Sequence, residues 1–306
     1  MSISHHQVPE YSITFGEIES KNDLMKLLYA KCEEQSWKTN ELSWDAEYDP
    51  SNPMKIDDHN LPIFNTALWN SFTEEQKAEY RIHSQALMLS NMVFSEGNGA
   101  TVLGKVISML PDHDSRMCMS SILFDEFRHG NILLRVFNER FGVKYPPKQQ
   151  AIFLLDKALK CRTWYHTYFI LQIFEICAAL QYGKMGKTSN DILFKQIFQK
   201  MQSDESRHMA FSNISLDGVF NNFTPEENLE NENLILELVE NIGEYFGHHQ
   251  LLETLGYDKV LFDDAYAKSD AESMKQFLTF MSKLLYRSGI WTDKLKQSFE
   301  KMGLPK

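Results

Sequence analysis

The sequence predicts an all-α protein, a four-helix bundle with additional N- and C-terminal helices. Two observations predict it. Apolar residues recur at the three-and-four spacing of helices over most of the chain, and no alternating run reads as a strand. In addition, one polar pattern occurs twice, 79 residues apart, each time inside such helical stretches. A repeat of this length is a duplicated helix pair rather than a solenoid unit. The 306 residues are expected to form one domain over 1–306, with its core at about 73–215 and extra helices over about 224–303.

In chain order, residues 1–20 lack helical periodicity and read as an extended arm. A helix is expected over 21–39. Residues 44–62, rich in Asp, Asn and Pro, read as a long loop. Thr73-Glu74-Glu75-Gln76 is a capping signal, so a long helix should run to about Met109, where Pro111-Asp112 breaks it. The next helix ends at Phe141-Gly142, before Pro146-Pro147. A third spans about 148–183, with a turn from Gly183 to Ser189, and a fourth covers about 189–213. Thr224-Pro225-Glu226-Glu227 starts another, with proline at the first helical position. Two more stretches fill about 258–268 and 270–302.

Composition narrows the function. With 43% hydrophobic and 24% charged residues the chain is ordinary for a globular protein. A net charge of −11 argues against nucleic acid as a partner. No apolar run approaches the roughly 20 residues of a membrane span. Met1-Ser2-Ile3-Ser4-His5-His6 shows no apolar signal core, so a cytoplasmic location is expected. Cys32, Cys118, Cys161 and Cys177 form no C-x-x-C pair and read as reduced thiols.

The duplicated pattern carries the chemistry. Glu96 is followed by Asp125-Glu126-Phe127-Arg128-His129, and Glu175 by Asp204-Glu205-Ser206-Arg207-His208; both read E-x28-D-E-x-R-H. Residues three apart share a helix face, so Glu126 with His129, and Glu205 with His208, can each reach one ion. These carboxylates sit on apolar stripes. Glu96, for example, has Met92, Val93, Gly99, Ala100 and Leu103 around it at helical spacing. A buried carboxylate must be neutralised, paired or metal-bound. Four carboxylates and two imidazoles supply the ligand set for two Fe or Mn ions, and balance two divalent charges. The competing reading is a buried ion-pair network built on Arg128 and Arg207. Glu126 and Glu205, which share helices with the two His, are the expected bridging ligands. His166 is expected to pack or hydrogen-bond rather than ligate, and Phe94, Tyr165, Tyr168, Phe169 and Phe174 to wall the core. Gly97 and Gly99 imply either close helix packing or room beside Glu96.

With its order Glu, Glu-x-x-His, Glu, Glu-x-x-His, the chain resembles the ferritin-like di-iron carboxylate superfamily. Within it, the spacing in both halves is similar to that of the arylamine N-oxygenases. The stretch from Glu34-Gln35-Ser36-Trp37 to Trp44-Asp45 is similar to the entry segment of ribonucleotide-reductase-like oxidases. The resemblance implies metal ligation by Glu96, Glu126, His129, Glu175, Glu205 and His208. It also implies that Asp125 holds His208 and Asp204 holds His129, with Arg128 and Arg207 balancing the aspartates. Two Fe (or a Mn/Fe pair), O2 as co-substrate, a small-molecule substrate and an external electron donor such as a reductase or ferredoxin follow from it; a homodimer is allowed.

Departures from relatives refine this expectation. Leu133 stands where the reductase subunits keep a radical-forming Tyr, and Ile170 where other oxidases have a crosslinked Tyr. Met201 replaces the third His of the N-oxygenases, and Ala179 the Thr of hydrocarbon monooxygenases. The resulting expectation is a non-haem di-iron oxygenase that hydroxylates, N-oxygenates or cleaves a small organic substrate, the metal centre itself being the catalytic group. Two alternatives stand beside it: a desaturase-like oxidase of carrier-bound acyl chains, which Arg128-His129-Gly130 resembles, and a non-catalytic iron-binding or ferroxidase protein.

Overall fold

A computed structural model of the chain describes residues 22–246 and 248–305. Among these residues there are eleven α-helices and no strand beyond an isolated bridge between Ile56 and Ser189. The expected arm at 1–20 lies outside the described residues.

The first helix, α1 (Asp23–Glu34), is shorter than the expected 21–39. The Asn22 side chain caps it by accepting from the Met25 amide. Its buried stripe, Met25, Leu28 and Cys32, lies across two bundle helices. A largely irregular segment, with two short 3-10 turns, leads to α2 (Ala67–Ser71). The bundle proper follows: α3 (Glu74–Met109), α4 (His113–Arg140), α6 (Trp164–Thr188) and α7 (Ile192–Ser215). Thr73 and Gln76 cap α3 reciprocally, as their spacing predicts. Asp112 caps α4, and Asp191 caps α7 while its second oxygen receives Arg140 Nη1 at 2.9 Å.

Helix directions follow from which end carries which part of the core. One apolar cluster holds the C-terminal half of α3 (Val102, Leu103, Val106), the N-terminal half of α4 (Cys118, Ile122) and of α6 (Phe169, Ile173), and Phe211 near the end of α7. The other holds the opposite ends: Tyr80 and Leu89, Leu133 and Val136, Tyr182, Phe194 and Phe198. So α3 and α7 run one way, α4 and α6 the other, and neighbouring helices are antiparallel. Because α4 and α6 run the same way, the chain must return the length of the bundle between them. It does so through α5 (Gln149–Lys160). One such crossover is the connectivity of ferritin-like bundles. Around the bundle lie α8 (Pro225–Phe246), α9 (His249–Leu255), α10 (Lys259–Ser288) and α11 (Asp293–Lys301).

Three further boundaries differ from expectation. The helix expected over 148–183 is two helices, α5 and α6, broken at Cys161–Thr163. Lys105 Nζ, from α3, donates to the carbonyls of Ala158, Leu159 and Cys161, satisfying the end of α5, and Thr163 caps α6. The expected turn at Gly183 is helix as far as Thr188. An added Cβ at Gly186 would stand 3.4 Å from Gln199 Cγ, so that glycine serves the close approach of α6 and α7 instead of a turn. The stretches expected at 258–268 and 270–302 are regrouped into one long helix ending at Ser288, closed by Gly289 in the left-handed region (φ 87°), and the short α11.

Candidate metal centre

Between the two apolar clusters lies a single polar layer. Glu96 comes from α3, Glu126 and His129 from α4, Glu175 from α6, and Glu205 and His208 from α7; each is at most 7% exposed. Their atoms form two overlapping groups. Glu96, Glu126, His129 and Glu205 each offer one oxygen or nitrogen within 4.8 Å of the others, and so do Glu126, Glu175, Glu205 and His208. Glu126 and Glu205, the two residues expected to bridge, belong to both.

The imidazoles are oriented alike but held unequally. His129 turns Nδ1 toward Glu96 (3.3 Å) and Glu205 (3.6 Å), and Nε2 toward Asp204 Oδ2 (2.8 Å). His208 turns Nδ1 toward Glu126 (3.0 Å), Glu175 (3.3 Å) and Glu205 (3.4 Å), and Nε2 toward Asp125 (3.5 Å). Each imidazole thus faces the carboxylates with one nitrogen and an aspartate of the other half with its second. An acceptor on the second nitrogen fixes the orientation of a ligating His. Arg128 spans both aspartates, at 2.5 Å from Asp125 and 2.9 Å from Asp204. Arg207 bonds Asp204 and lies 3.5 Å from Asp125. The arginines therefore pair with the aspartates, not with the four glutamates, and the buried ion-pair network does not account for the glutamate layer.

The electrostatics are those of a crowded carboxylate site. Burial, then the charges of Glu96 and Glu175, pushes Glu126 well above the usual carboxylate range. Burial raises Glu205 likewise, with Glu175 and Glu96 adding to it against His208. Burial alone would lower both imidazoles, but the carboxylates around them hold both well above the usual range. Glu96 Oε2, Glu126 Oε1, both Glu205 oxygens and His129 Nδ1 are buried without a hydrogen bond. Buried polar atoms of this kind are normally satisfied, and metal ligation would satisfy them. Oxygen and imidazole donors without thiolate suit iron or manganese. A cavity of about 20 Å³ opens among Glu96, Glu126, Glu175 and Glu205, with Gly99 and Ala178 in its wall. About 10–15 Å³ is enough for a water-sized molecule.

Local spacing did not reveal several supporting contacts. Trp37 Nε1 donates to Asp204 Oδ2 at 2.8 Å, and Arg128 Nη1 donates to the Trp37 carbonyl at 2.8 Å. Gln35 accepts from Arg207 at 3.0 Å. The Gln35–Trp37 segment, singled out by its resemblance to oxidase entry segments, therefore lies on the aspartate–arginine cluster. Tyr182 donates to Glu96 Oε1, and its signal in the sequence is only a position seven residues after Glu175, on the same face of α6. Gly97 meets Gly130, where an added Cβ would lie 3.4 Å from the Gly97 nitrogen; Gly99 lines the small cavity. Both readings of the glycine pair hold, one at each residue. Tyr168 bonds Ser212 at 3.0 Å, and His166 bonds Asn231 at 2.6 Å, away from the glutamates as expected. Met201 is fully buried in apolar surroundings.

Fold and residue layer together match the four-helix di-metal carboxylate class. The family model of the p-aminobenzoate N-oxygenase AurF matches residues 19–250, and the chain belongs to that family, in the oxygenase branch of the di-iron proteins. No curated protein sequence matches the chain. Among the described residues no helix is long and apolar enough to cross a membrane.

Proposed function

We propose that Glu96, Glu126, His129, Glu175, Glu205 and His208 hold two iron ions, with Glu126 and Glu205 between them, and that the chain oxygenates a small organic amine with O2. The observation that carries this is the pair of overlapping ligand groups sharing two glutamates around a small cavity. A reduced di-iron pair bound there supplies electrons for breaking the O–O bond. The protein's part is positional. Asp204 Oδ2 holds His129 Nε2 at 2.8 Å, and Asp125 Oδ2 stands 3.5 Å from His208 Nε2, so that both Nδ1 atoms face inward. The apolar clusters above and below cover the two ends of the layer. Nitrogen as the atom oxidised is drawn from the family's name, an N-oxygenase. Met201 leaves this centre with six ligands, where the N-oxygenases it resembles have a seventh. Electrons come from an external reductase or ferredoxin, since the chain has no C-x-x-C cluster motif.

The test is anaerobic loading with Fe(II), metal analysis, then exposure to O2 with p-aminobenzoate and other arylamines as probes. Two irons per chain, O2 uptake only after reduction, and a product heavier by one or more oxygen atoms are expected. His129→Ala and His208→Ala should each fall below two irons. Two tightly bound irons in both variants would refute the ligand assignment, and iron uptake far above two per chain would point to a storage or ferroxidase role.

A further inference from the structure

The glutamate layer adjoins larger cavities on two sides. One, of about 940 Å³, reaches it through Tyr182; the other, of about 780 Å³, reaches Glu205 itself. Both are in the size range of sites for organic ligands. The second has an unusual wall. Along α7 it is lined by Gln202, Glu205, Ser206, Met209 and Asn213, one stripe at helical spacing. At 1.5 Å per residue that stripe is roughly 16 Å long, more than a single aromatic ring requires. Facing it, α10 and the segment after it contribute Lys283, Arg287 and Lys296 beside Tyr286 and Trp291.

These three cations make no ion pair and no side-chain hydrogen bond among the described residues; Lys283 rests only on the Phe280 ring. The surrounding sequence is biased in the same direction. Residues 275–306 carry seven Lys or Arg (275, 283, 287, 294, 296, 301, 306) against Asp293 and Glu300, net +5 in a chain of net −11. Clustered cations at the mouth of an elongated, partly aromatic cavity select a ligand with a concentrated negative charge at one end.

Building on the oxygenase reading, we propose that this second cavity is the substrate site. Its substrate is an elongated molecule with a phosphate at its outer end, bound by Lys283, Arg287 and Lys296, and its reacting end lies against Glu205. Against Glu300 on the same wall the three cations leave an excess of two positive charges, more than a single carboxylate carries, which favours phosphate. A free coenzyme thioester and the phosphopantetheine arm of an acidic carrier protein share this chemistry.

Binding to the full-length protein, measured by titration calorimetry with and without iron, tests this. The probes are phosphopantetheine and its dephosphorylated form, pantetheine. The phosphorylated probe should bind at least about tenfold more tightly, and Lys283→Glu with Arg287→Glu should remove that advantage. Lys148→Ala, in the other cavity, should leave it intact. Equal binding of both probes, no binding of either, or an advantage lost only in Lys148→Ala would overturn the proposal. Coenzyme A against holo- and apo-carrier protein separates the two sources: tighter binding of the holo-carrier than of coenzyme A identifies the carrier, and the reverse the free thioester. Because binding is read without iron as well, it can fail while the oxygenase reading stands. Equally, O2 consumption can fail while binding stands.

Discussion

In the first half of the repeat Gly97 on α3 meets Gly130 on α4, backbone close to Cβ position. Seventy-nine residues on, the corresponding residues are Ile176 and Met209, and both line the cavity that reaches Glu205. One helix pair is closed by glycines, while its copy carries side chains around an opening. The surroundings of the ligands differ too. Asp204 receives Trp37, Arg128, Arg207 and His129, whereas Asp125 has no tryptophan, receives Arg128 at 2.5 Å and stands 3.5 Å from both Arg207 and His208. Tyr182 bonds Glu96; its repeat partner Leu103 faces the small cavity beside Glu175. The comparison separates two demands. Holding two ions would need matching ligands in both halves, and the six proposed positions match. Reaching and reacting with a substrate needs the halves to differ, and the walls around the ligands supply the difference.

The strongest test of that asymmetry is Asp204→Asn against Asp125→Asn. Removing an acceptor that orients a ligating His typically lowers metal affinity by about 10–100-fold. Asp204→Asn should fall toward the high end, because it also leaves Arg128, Arg207 and the Trp37 indole short of a charged acceptor. Asp125→Asn should fall toward the low end. Competitive iron binding measures both, and equal losses would remove the case for unequal halves.

Proton release gives the next test. Above the ordinary carboxylate range the metal-free native site binds more protons than the unfolded chain, although His129 holds Glu96 and Asp204 below their usual values against the effect of burial. Glu126 and Glu205 are raised above 4.5, and His129 and His208 above 6.5. Unfolding of the metal-free protein therefore becomes easier as pH rises above 4.5 and through the raised values, since stability falls wherever the native state holds more protons. Metal binding displaces those protons and strengthens with pH. The melting temperatures of the metal-free and iron-loaded proteins should thus diverge as pH rises from about 5 to about 8. Parallel curves would show that the layer is not titrating as a metal site.

The convergence of the six side chains was legible in the sequence because a helix restricts spacing, so Glu126 and His129 announce themselves three residues apart and the repeat doubles the signal. The aspartate partners came from family resemblance and agree with the geometry. What stayed hidden depends on contacts between distant segments. The break before α6 is stabilised by Lys105, more than 50 residues away in sequence. Gly183 and Gly186 carry the same local signal in a turn as in a close helix crossing, and α7 decides which. Trp37 and Tyr182 are ordinary core aromatics until Asp204 and Glu96 are placed beside them.

The glycine contact makes a sharper, smaller prediction. Gly130→Met, which imports the residue of the second half, must push into the Gly97 backbone, and overpacking of this kind costs about 1–3 kcal/mol. Met209→Ala only enlarges an existing cavity at a half-buried position and should cost less than about 1 kcal/mol. Thermal melts of the two variants should rank in that order. The reverse ranking would mean that α3 and α4 can separate freely, and that the contrast between the two helix pairs is not structural.

The smallest effect is expected at Tyr182. Burial and the neighbouring carboxylates raise this phenol well above its usual range, so it stays protonated and donates to Glu96. Tyr182→Phe keeps the ring that stacks on Phe198 at 6.0 Å and removes only the hydroxyl. One hydrogen bond lost in this way costs about 1 kcal/mol. Both irons, and the ability to form product, should survive. The same variant decides whether the phenol is more than a positioning group. With Leu133 where the reductases keep their radical tyrosine, no stoichiometric tyrosyl signal is expected by electron paramagnetic resonance after the reduced protein meets O2, in wild type or variant. A stable signal in the wild type that vanishes in Tyr182→Phe would make the difference between Tyr182 and Leu103 a redox difference, and would move the protein from oxygen transfer toward radical generation.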